Sequence, residues 1–429
     1  MLTRRSMIRQ IAAVTAGLLA RDTRASAPAY GILHPRLSEN SGELLLALPD
    51  GFRYTRLSRA GAPMSDGNAT PGLPDGMAAF FVNGELRIVC NHEIREVAFP
   101  ISAGPWQYDG MGGGGTTTIV VDPITRLPVR QFVSLAGTIT NCAGGPTPWG
   151  SWISCEESLG GAGFTQPHGY CFEVPAAANT PVAAVPLKAM GRFVHEAAAV
   201  DPGTGIVYLT EDRDSAGLYR FLPQQRGVLA AGGRLQMLAV RNDSLFDGSS
   251  GQVPGLRMPV AWIDIDNPDA AVFAQGRARG AARFRRLEGA CFGNGSLFFT
   301  STSGGDRGLG QIWQYRVRTG LKQRAVRAPR WDGDLTLLFE SPAADVLQMP
   351  DNICLTPWQT LMVCEDNGGA TYLRGVTRQG AIFPFAQNIA PGFETSEFAG
   401  ACFSPDGQTL FVNLQFAGAT LAIWGPWIT

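Results

Sequence analysis

The sequence predicts an all-β fold, a six-bladed propeller whose polar and acidic strand ends line one central metal site. Three observations carry this. Across 429 residues, 53 glycines and 29 prolines punctuate short apolar runs, and no long amphipathic helix is evident. One hairpin pattern recurs six times. The ends of each copy are polar, and most carry carboxylates.

The first copy runs from Asp75 to Asn91-His92-Glu93, the second from Cys142 to Cys155-Glu156-Glu157. The third runs from His195-Glu196 to Glu211-Asp212, the fourth from Glu288-Gly289 to Thr300-Ser301-Thr302. The fifth runs from Asp351-Asn352 to Glu365-Asp366-Asn367, the sixth from Glu397 to Asn413. The two ends of a copy lie roughly 12–16 residues apart, room for two short strands and a tight loop. A hairpin brings its two ends together. Spacing between copies is irregular, as expected of blades with inserted outer loops. Six blades around an axis would bring all the polar ends to one channel mouth. The strands expected at 409–412 and 420–424 would close the ring against residues 52–57. A seventh, degenerate copy would have to lie within 215–265.

Charge excludes one class of function. Charged residues make up 17% and the net charge is −1, with none of the basic excess of a nucleic-acid surface. The N-terminus reads as an export signal. Thr3-Arg4-Arg5-Ser6-Met7-Ile8 precedes an apolar run at 11–20 and the small residues Ala27-Pro28-Ala29. Residues 1–29 are expected to be a twin-arginine signal peptide, and 30–429 a single propeller domain. The alternatives are a Sec signal or an uncleaved start. The apolar run is too short to span a bilayer. The expected partner in export is the twin-arginine translocase, the destination periplasmic or secreted, and the mature protein a monomer.

Many carboxylates meeting at one place cannot all stay ionised without cations. Hard cations, calcium above all, take six to eight oxygens from such groups. The alternative for each single acid is to cap a strand or pair with Arg95 or Arg213. Cys142, in the turn-like Asn141-Cys142-Ala143-Gly144-Gly145, is the one thiol at a ligand-bearing position. A thiolate among carboxylates favours a transition metal. Most of the cysteines sit in apolar runs, such as Val89-Cys90 and Met362-Val363-Cys364, and read as buried packing residues, and no CxxC pair exists. His92-Glu93 and His195-Glu196 place two histidines beside ring acids, without the spacing of an HExxH zinc site. Arg286 and Glu288 share a strand face. A guanidinium there suits a phosphate or carboxylate, or pairs with one of the acids. The Gly112–115 run leads into threonines and a strand, not into the GK[ST] of a phosphate-binding loop.

Together these motifs resemble the PhoX family of alkaline phosphatases. The resemblance rests on Asn91-His92-Glu93, Asn141-Cys142 with Thr147-Pro148-Trp149-Gly150 and Cys155-Glu156-Glu157, and His195-Glu196-Ala197-Ala198 with Glu211-Asp212-Arg213. It continues through Leu287-Glu288-Gly289, Pro350-Asp351-Asn352 with Glu365-Asp366, and Glu397 to Gly407. It implies a twin-arginine-exported propeller holding two ferric ions and several calcium ions. Carried over by motif, Cys142, Glu196 and Glu288 would hold iron. Glu93, Glu156, Glu157, Glu211, Asp212, Glu365 and Asp366 would supply calcium or shared ligands, and Arg286 would grip phosphate. Cys142, Glu196, Glu288 and Arg286 would be the catalytic set. The chain is shorter than the large phosphatases of that family, so shorter outer loops over the channel are expected.

The expected activity is hydrolysis of small phosphorylated organic substrates, with release of inorganic phosphate outside the cytoplasmic membrane. The competing readings are a calcium-dependent propeller lactonase, a phosphodiesterase, or a non-catalytic metal-stabilised binding propeller.

Overall fold

The computed structural model describes residues 30–318, 333–377 and 380–428. The expected signal at 1–29 lies outside the described residues. Strands dominate, and Val272–Ala278 is the one α-helix among the described residues. No helix among them is long and apolar enough to cross a membrane.

Six inner strands form a closed ring. They are Pro74–Val82, Asn141–Pro146, His195–Val200, Leu287–Gly293, Pro350–Leu355 and Phe398–Phe403, and each packs on the next, the last on the first. From each, antiparallel neighbours run outward as a blade. The first blade adds Glu85–His92, Gly114–Val121 and Pro128–Thr138. The second is thinner, adding only Ser151–Glu156 and Cys171–Pro175. The third and fourth share one nine-stranded sheet, because Arg257–Asp264 pairs with the outer strand of each, Gly233–Val240 and Gly333–Glu340. That strand and its neighbours occupy the 215–265 region, so no seventh inner strand arises there. The fifth blade is extended outward by Leu44–Leu48 and His34–Leu37. The sixth closes the ring as expected: Ala419–Trp424 pairs with Arg53–Arg59.

The core is six apolar seams, one between each pair of neighbouring blades. Phe299, Trp313 and Tyr208 fill the seam between the third and fourth blades. Trp152, Phe172 and Leu135 fill that between the first and second. The second strand of each blade is therefore buried on both faces, which explains its continuous apolar run rather than clean alternation.

A bulge recurs at the top of every hairpin. The register steps three residues on the inner strand against two on its partner, between Pro74/Met77, Asn141/Gly144, His195/Ala198, Leu287/Ala290, Pro350/Ile353 and Ala399/Cys402. The extra residue bends the strand and re-aims one side chain. The first bulged residue is Asp75, Cys142, Glu196, Glu288, Asp351 or Gly400, blade by blade. Five copies thus carry a ligand-type group and the sixth carries glycine.

Packing dictates that glycine. Gly400 has φ +63°, and a Cβ there would lie 2.3 Å from the Asp75 carbonyl oxygen. Gly400→Ala is expected to cost about 2–4 kcal/mol of stability. Denaturant unfolding checks this, and an unchanged midpoint would contradict it.

Four hairpins begin with a non-glycine residue in the left-handed region: Leu73, Thr140, Arg286 and Met349, with φ between 46° and 52°. Their carbonyls accept the amides of Glu93, Glu157, Thr302 and Asp366 at the far ends of the hairpins. These bonds hold the strained backbone and tie both polar ends of each hairpin together.

Candidate metal centre

The bulges and the strand ends make one ring. Three groups of donor atoms, each within 4.8 Å, follow one another around it: Asp75, Glu93 and Cys142; then Cys142, Glu157 and Glu196; then Glu196, Glu288 and Asp351. Cys142 and Glu196 are shared between neighbouring groups, and the Cys142 thiol lies 3.4 Å from a Glu196 oxygen. Cys142 is not in a turn, as its glycine-rich surroundings suggested, but in the bulge of an inner strand, and it is buried.

Strand alternation sorts the remaining expected ligands. In each acidic pair the second residue faces the ring. Glu157 reaches the Cys142 group, Asp212 lies beside Glu157 and Glu288, and Asp366 lies beside Asp351 and Glu397. The first residue turns into its blade. Glu156 accepts from the Ile139, Gly169 and Tyr170 amides and pairs with His168. Glu211 accepts from the Tyr219 hydroxyl and the Gly217 amide. Glu365 accepts from the Gln348 and Tyr372 amides and from Arg374. Glu156, Glu211 and Glu365, expected to supply cations, instead place oxygens on the loops that position the next residue. His92 follows the same rule, bonding Gly72 and Thr117 inside its blade.

Asp75 and Asp351 stand in the ring although the resemblance assigned neither a ligand role. Their signal was the repeat itself. Glu397 enters from just before the sixth inner strand, close to Asp351, Asp366 and Asp75. Gln415, just past the end of the sixth blade's second strand, donates to Asp75 and Glu93.

Electrostatics and unmet bonds both call for cations. Burial pushes the carboxyls of Asp75, Glu157, Glu196, Glu288 and Glu397 well up, and neighbouring carboxylates add to the shift. Asp351 is pushed up to about 8, by burial first and then by Asp366. Burial, then Asp75 and Glu196, drives the Cys142 thiol up as well. A bound cation inverts each of these shifts. Asp75 Oδ1, Glu196 Oε2, Asn413 Oδ1 and Gln415 Oε1 are buried without a hydrogen-bond donor. Such orphaned acceptors are costly unless something positive meets them. The residues fit metal ions.

Two arginines guard the ring. Arg286 donates to Asp212 at 3.0 Å and to Glu288 at 2.7 Å, with 31% of its side chain exposed. It therefore stands at the cluster and pairs with two of its acids. Burial opposes its charge, but Glu288 and Asp212 more than offset that and raise its pKa. Arg95 grips Glu93 through two bonds of 2.6 and 2.8 Å. Beside the ring, Glu157, Ser158, Asp212, Arg213 and Ser215 line an open cleft of about 600 Å³. Below the bulges the inner strands enclose an axial channel of about 280 Å³ lined by Gly, Ala and other apolar residues. The polar chemistry is confined to the bulged end.

The family model described as alkaline phosphatase PhoX matches residues 124–418, which include Cys142, Glu157, Glu196, Asp212, Arg286, Glu288, Asp351 and Glu397. The chain belongs to the PhoX family. PhoX proteins are alkaline phosphatases, so the chain is placed among phosphoric monoester hydrolases. The structure of Pseudomonas fluorescens PhoX in complex with vanadate is similar, with a TM-score of 0.68 and 18% identity over 92% of this chain and 97% of that one. That likeness supports the propeller fold. A gluconolactonase from Xanthomonas campestris aligns at a TM-score of 0.44 and 12% identity, over 92% of this chain and 98% of that one. No curated protein sequence matches the chain.

Proposed function

We propose that this PhoX-family protein is a metal-dependent phosphomonoesterase that releases inorganic phosphate from small organic phosphates outside the cytoplasmic membrane. One observation carries the reading: three cation-sized donor groups share Cys142 and Glu196 and stand beside Arg286. Cys142, Glu196 and Glu288, the sector with the thiolate, would hold ferric iron, two ions by family resemblance. Glu93, Glu157, Asp212 and Asp366, with Asp75 and Asp351, would supply carboxylate oxygens to calcium ions beside the thiolate sector. Bound there, the cations would supply Lewis-acid neutralisation of charge building on the phosphoryl oxygens.

The chain's own residues do the rest. Asp212 and Glu288 hold the Arg286 fork at the rim of the ring. Cations taking those carboxylate oxygens would leave the planar fork free for two phosphoryl oxygens. The bulges and their crossing backbone bonds fix donor positions before substrate arrives, which lowers the reorganisation needed on binding. A lactonase reading leaves both Arg286 and Cys142 without a task. Export rests on residues 1–29 and on the family.

The solved relative was crystallised with vanadate, named there as a transition-state analogue. Vanadate is expected to inhibit this protein too. Arg286→Ala is expected to lower kcat/KM for p-nitrophenyl phosphate by about 10²–10³-fold and to weaken vanadate inhibition in parallel. Retained inhibition would remove Arg286 from the anion site. Hydrolysis of p-nitrophenyl phosphate at alkaline pH by metal-loaded protein tests the function itself, and its absence would overturn it.

A further inference from the structure

Away from the axial ring, the structure assigns a second metal site. We propose that Cys155, Cys171 and His195 bind one thiophilic d10 cation, zinc or cuprous copper, which staples the second blade to the third.

The donors come from two blades. Cys155 and Cys171 face each other across the second blade's middle and outer strands, and His195 begins the third blade's inner strand. All three are fully buried within one interblade seam. The sulfurs are 3.6 Å apart, Cys171 Sγ lies 3.4 Å from His195 Nδ1, and all three donor atoms fall within 4.8 Å. Two thiolates at ~2.3 Å from a tetrahedral centre stand about 3.8 Å apart, and a thiolate and an imidazole nitrogen about 3.5 Å apart. The two closest edges therefore match a coordination polyhedron. A disulfide needs sulfurs about 2.05 Å apart.

The imidazole is aimed as a ligand. Its Nε2 lies 3.0 Å from the Gly191 carbonyl, so Nε2 carries the proton and the Nδ1 lone pair faces the thiols. Phe193 stacks on the ring at 3.6 Å and fixes its plane. Two sulfurs and one nitrogen, with no oxygen in the group, select a soft cation over the hard cations suited to the axial ring. On binding, both thiols release their protons to solvent while the imidazole stays neutral.

The staple sits where the ring needs support. The second blade has three strands where the other blades have four or more, and only an isolated bridge from Phe172 to Pro186 extends it. Cys155 lies two residues before Glu157 in the chain, and His195 directly precedes Glu196. A cation here would anchor two strand ends that enter the axial ring. The proposal does not depend on the phosphatase reading.

Full-length protein refolded with Zn²⁺, or anaerobically with Cu⁺, should show anomalous difference density among the three donors at the matching absorption edge. The edge identifies the cation. In metal analysis Cys171→Ala should lose one equivalent of that cation relative to wild type, whereas Cys142→Ser should keep it. Absence of density at both edges, a Cys155–Cys171 disulfide, or equal cation content in Cys171→Ala would each overturn the proposal. If Cys171→Ala does not fold, the wild-type maps decide.

Discussion

Glu196→Gln is expected to lower kcat for p-nitrophenyl phosphate by at least about 10³-fold and to release bound iron. Glu196 is the only carboxylate that belongs to two of the ring's donor groups among the described residues. One of its oxygens faces the Cys142 thiol and the other is buried with no hydrogen-bond donor. Glutamine keeps the shape but replaces one acceptor with an NH₂ donor and removes the charge. It cannot bridge two cations. The same substitution at Glu156, whose oxygens are taken by backbone amides and His168, should leave metal content intact and act through stability instead. Metal content and kcat measured on both variants separate the two roles. A Glu196→Gln enzyme with full activity and full iron would contradict the ring assignment.

Stripping the cations from wild-type protein is expected to make it less stable as pH rises from 6.5 to 9. The sign follows from the raised carboxyl pKa values. Asp351, at about 8 in the folded protein, still holds its proton where the unfolded chain has lost it. Asp75, Glu196 and Glu288 shift in the same direction. The folded state then binds more protons than the unfolded state, so stability is present at low pH and is lost as pH climbs through the folded values. His92 and His195 act oppositely, with pKa values lowered to about 4 by burial, but their effect levels off by about pH 7.5, one unit above the unfolded value. A fall in Tm of roughly 5–10 °C across that window is expected for metal-free protein. Added calcium and iron should flatten or reverse it, because the ionised ring is then the bound form. Thermal unfolding of chelator-treated and reloaded protein measures this. Metal-free protein whose Tm holds steady or rises to pH 9 would contradict a crowded, uncompensated acid ring.

The ring was legible in the sequence because each copy repeats its polar ends at nearly constant spacing. Closure was legible in the strand-like runs at 420–424 and 52–57, which pair as Ala419–Trp424 with Arg53–Arg59. Which acid of each pair reaches the axis was not. Glu156-Glu157, Glu211-Asp212 and Glu365-Asp366 look equivalent as dipeptides, and only strand register separates the one that faces cations from the one that anchors a loop. The bulge hides further. Nothing in Pro74-Asp75-Gly76 or Leu287-Glu288-Gly289 says that the middle residue is the inserted one. In the sixth copy the register places the bulge on Gly400, not on Glu397, and the Asp75 carbonyl fills the space a side chain there would need. Nothing in the sequence around Cys155 or Cys171 marks them as ligands, and their meeting with His195 depends on how two blades dock.

The central claim is that the bulged ends of the six inner strands hold the cations that phosphate hydrolysis uses. Inductively coupled plasma mass spectrometry on protein purified from its native host, paired with its p-nitrophenyl phosphate turnover, tests it most directly. Iron and calcium should be present in stoichiometric amounts, and both they and the turnover should fall together on chelation and in Glu196→Gln. Full turnover by protein containing neither metal would contradict it.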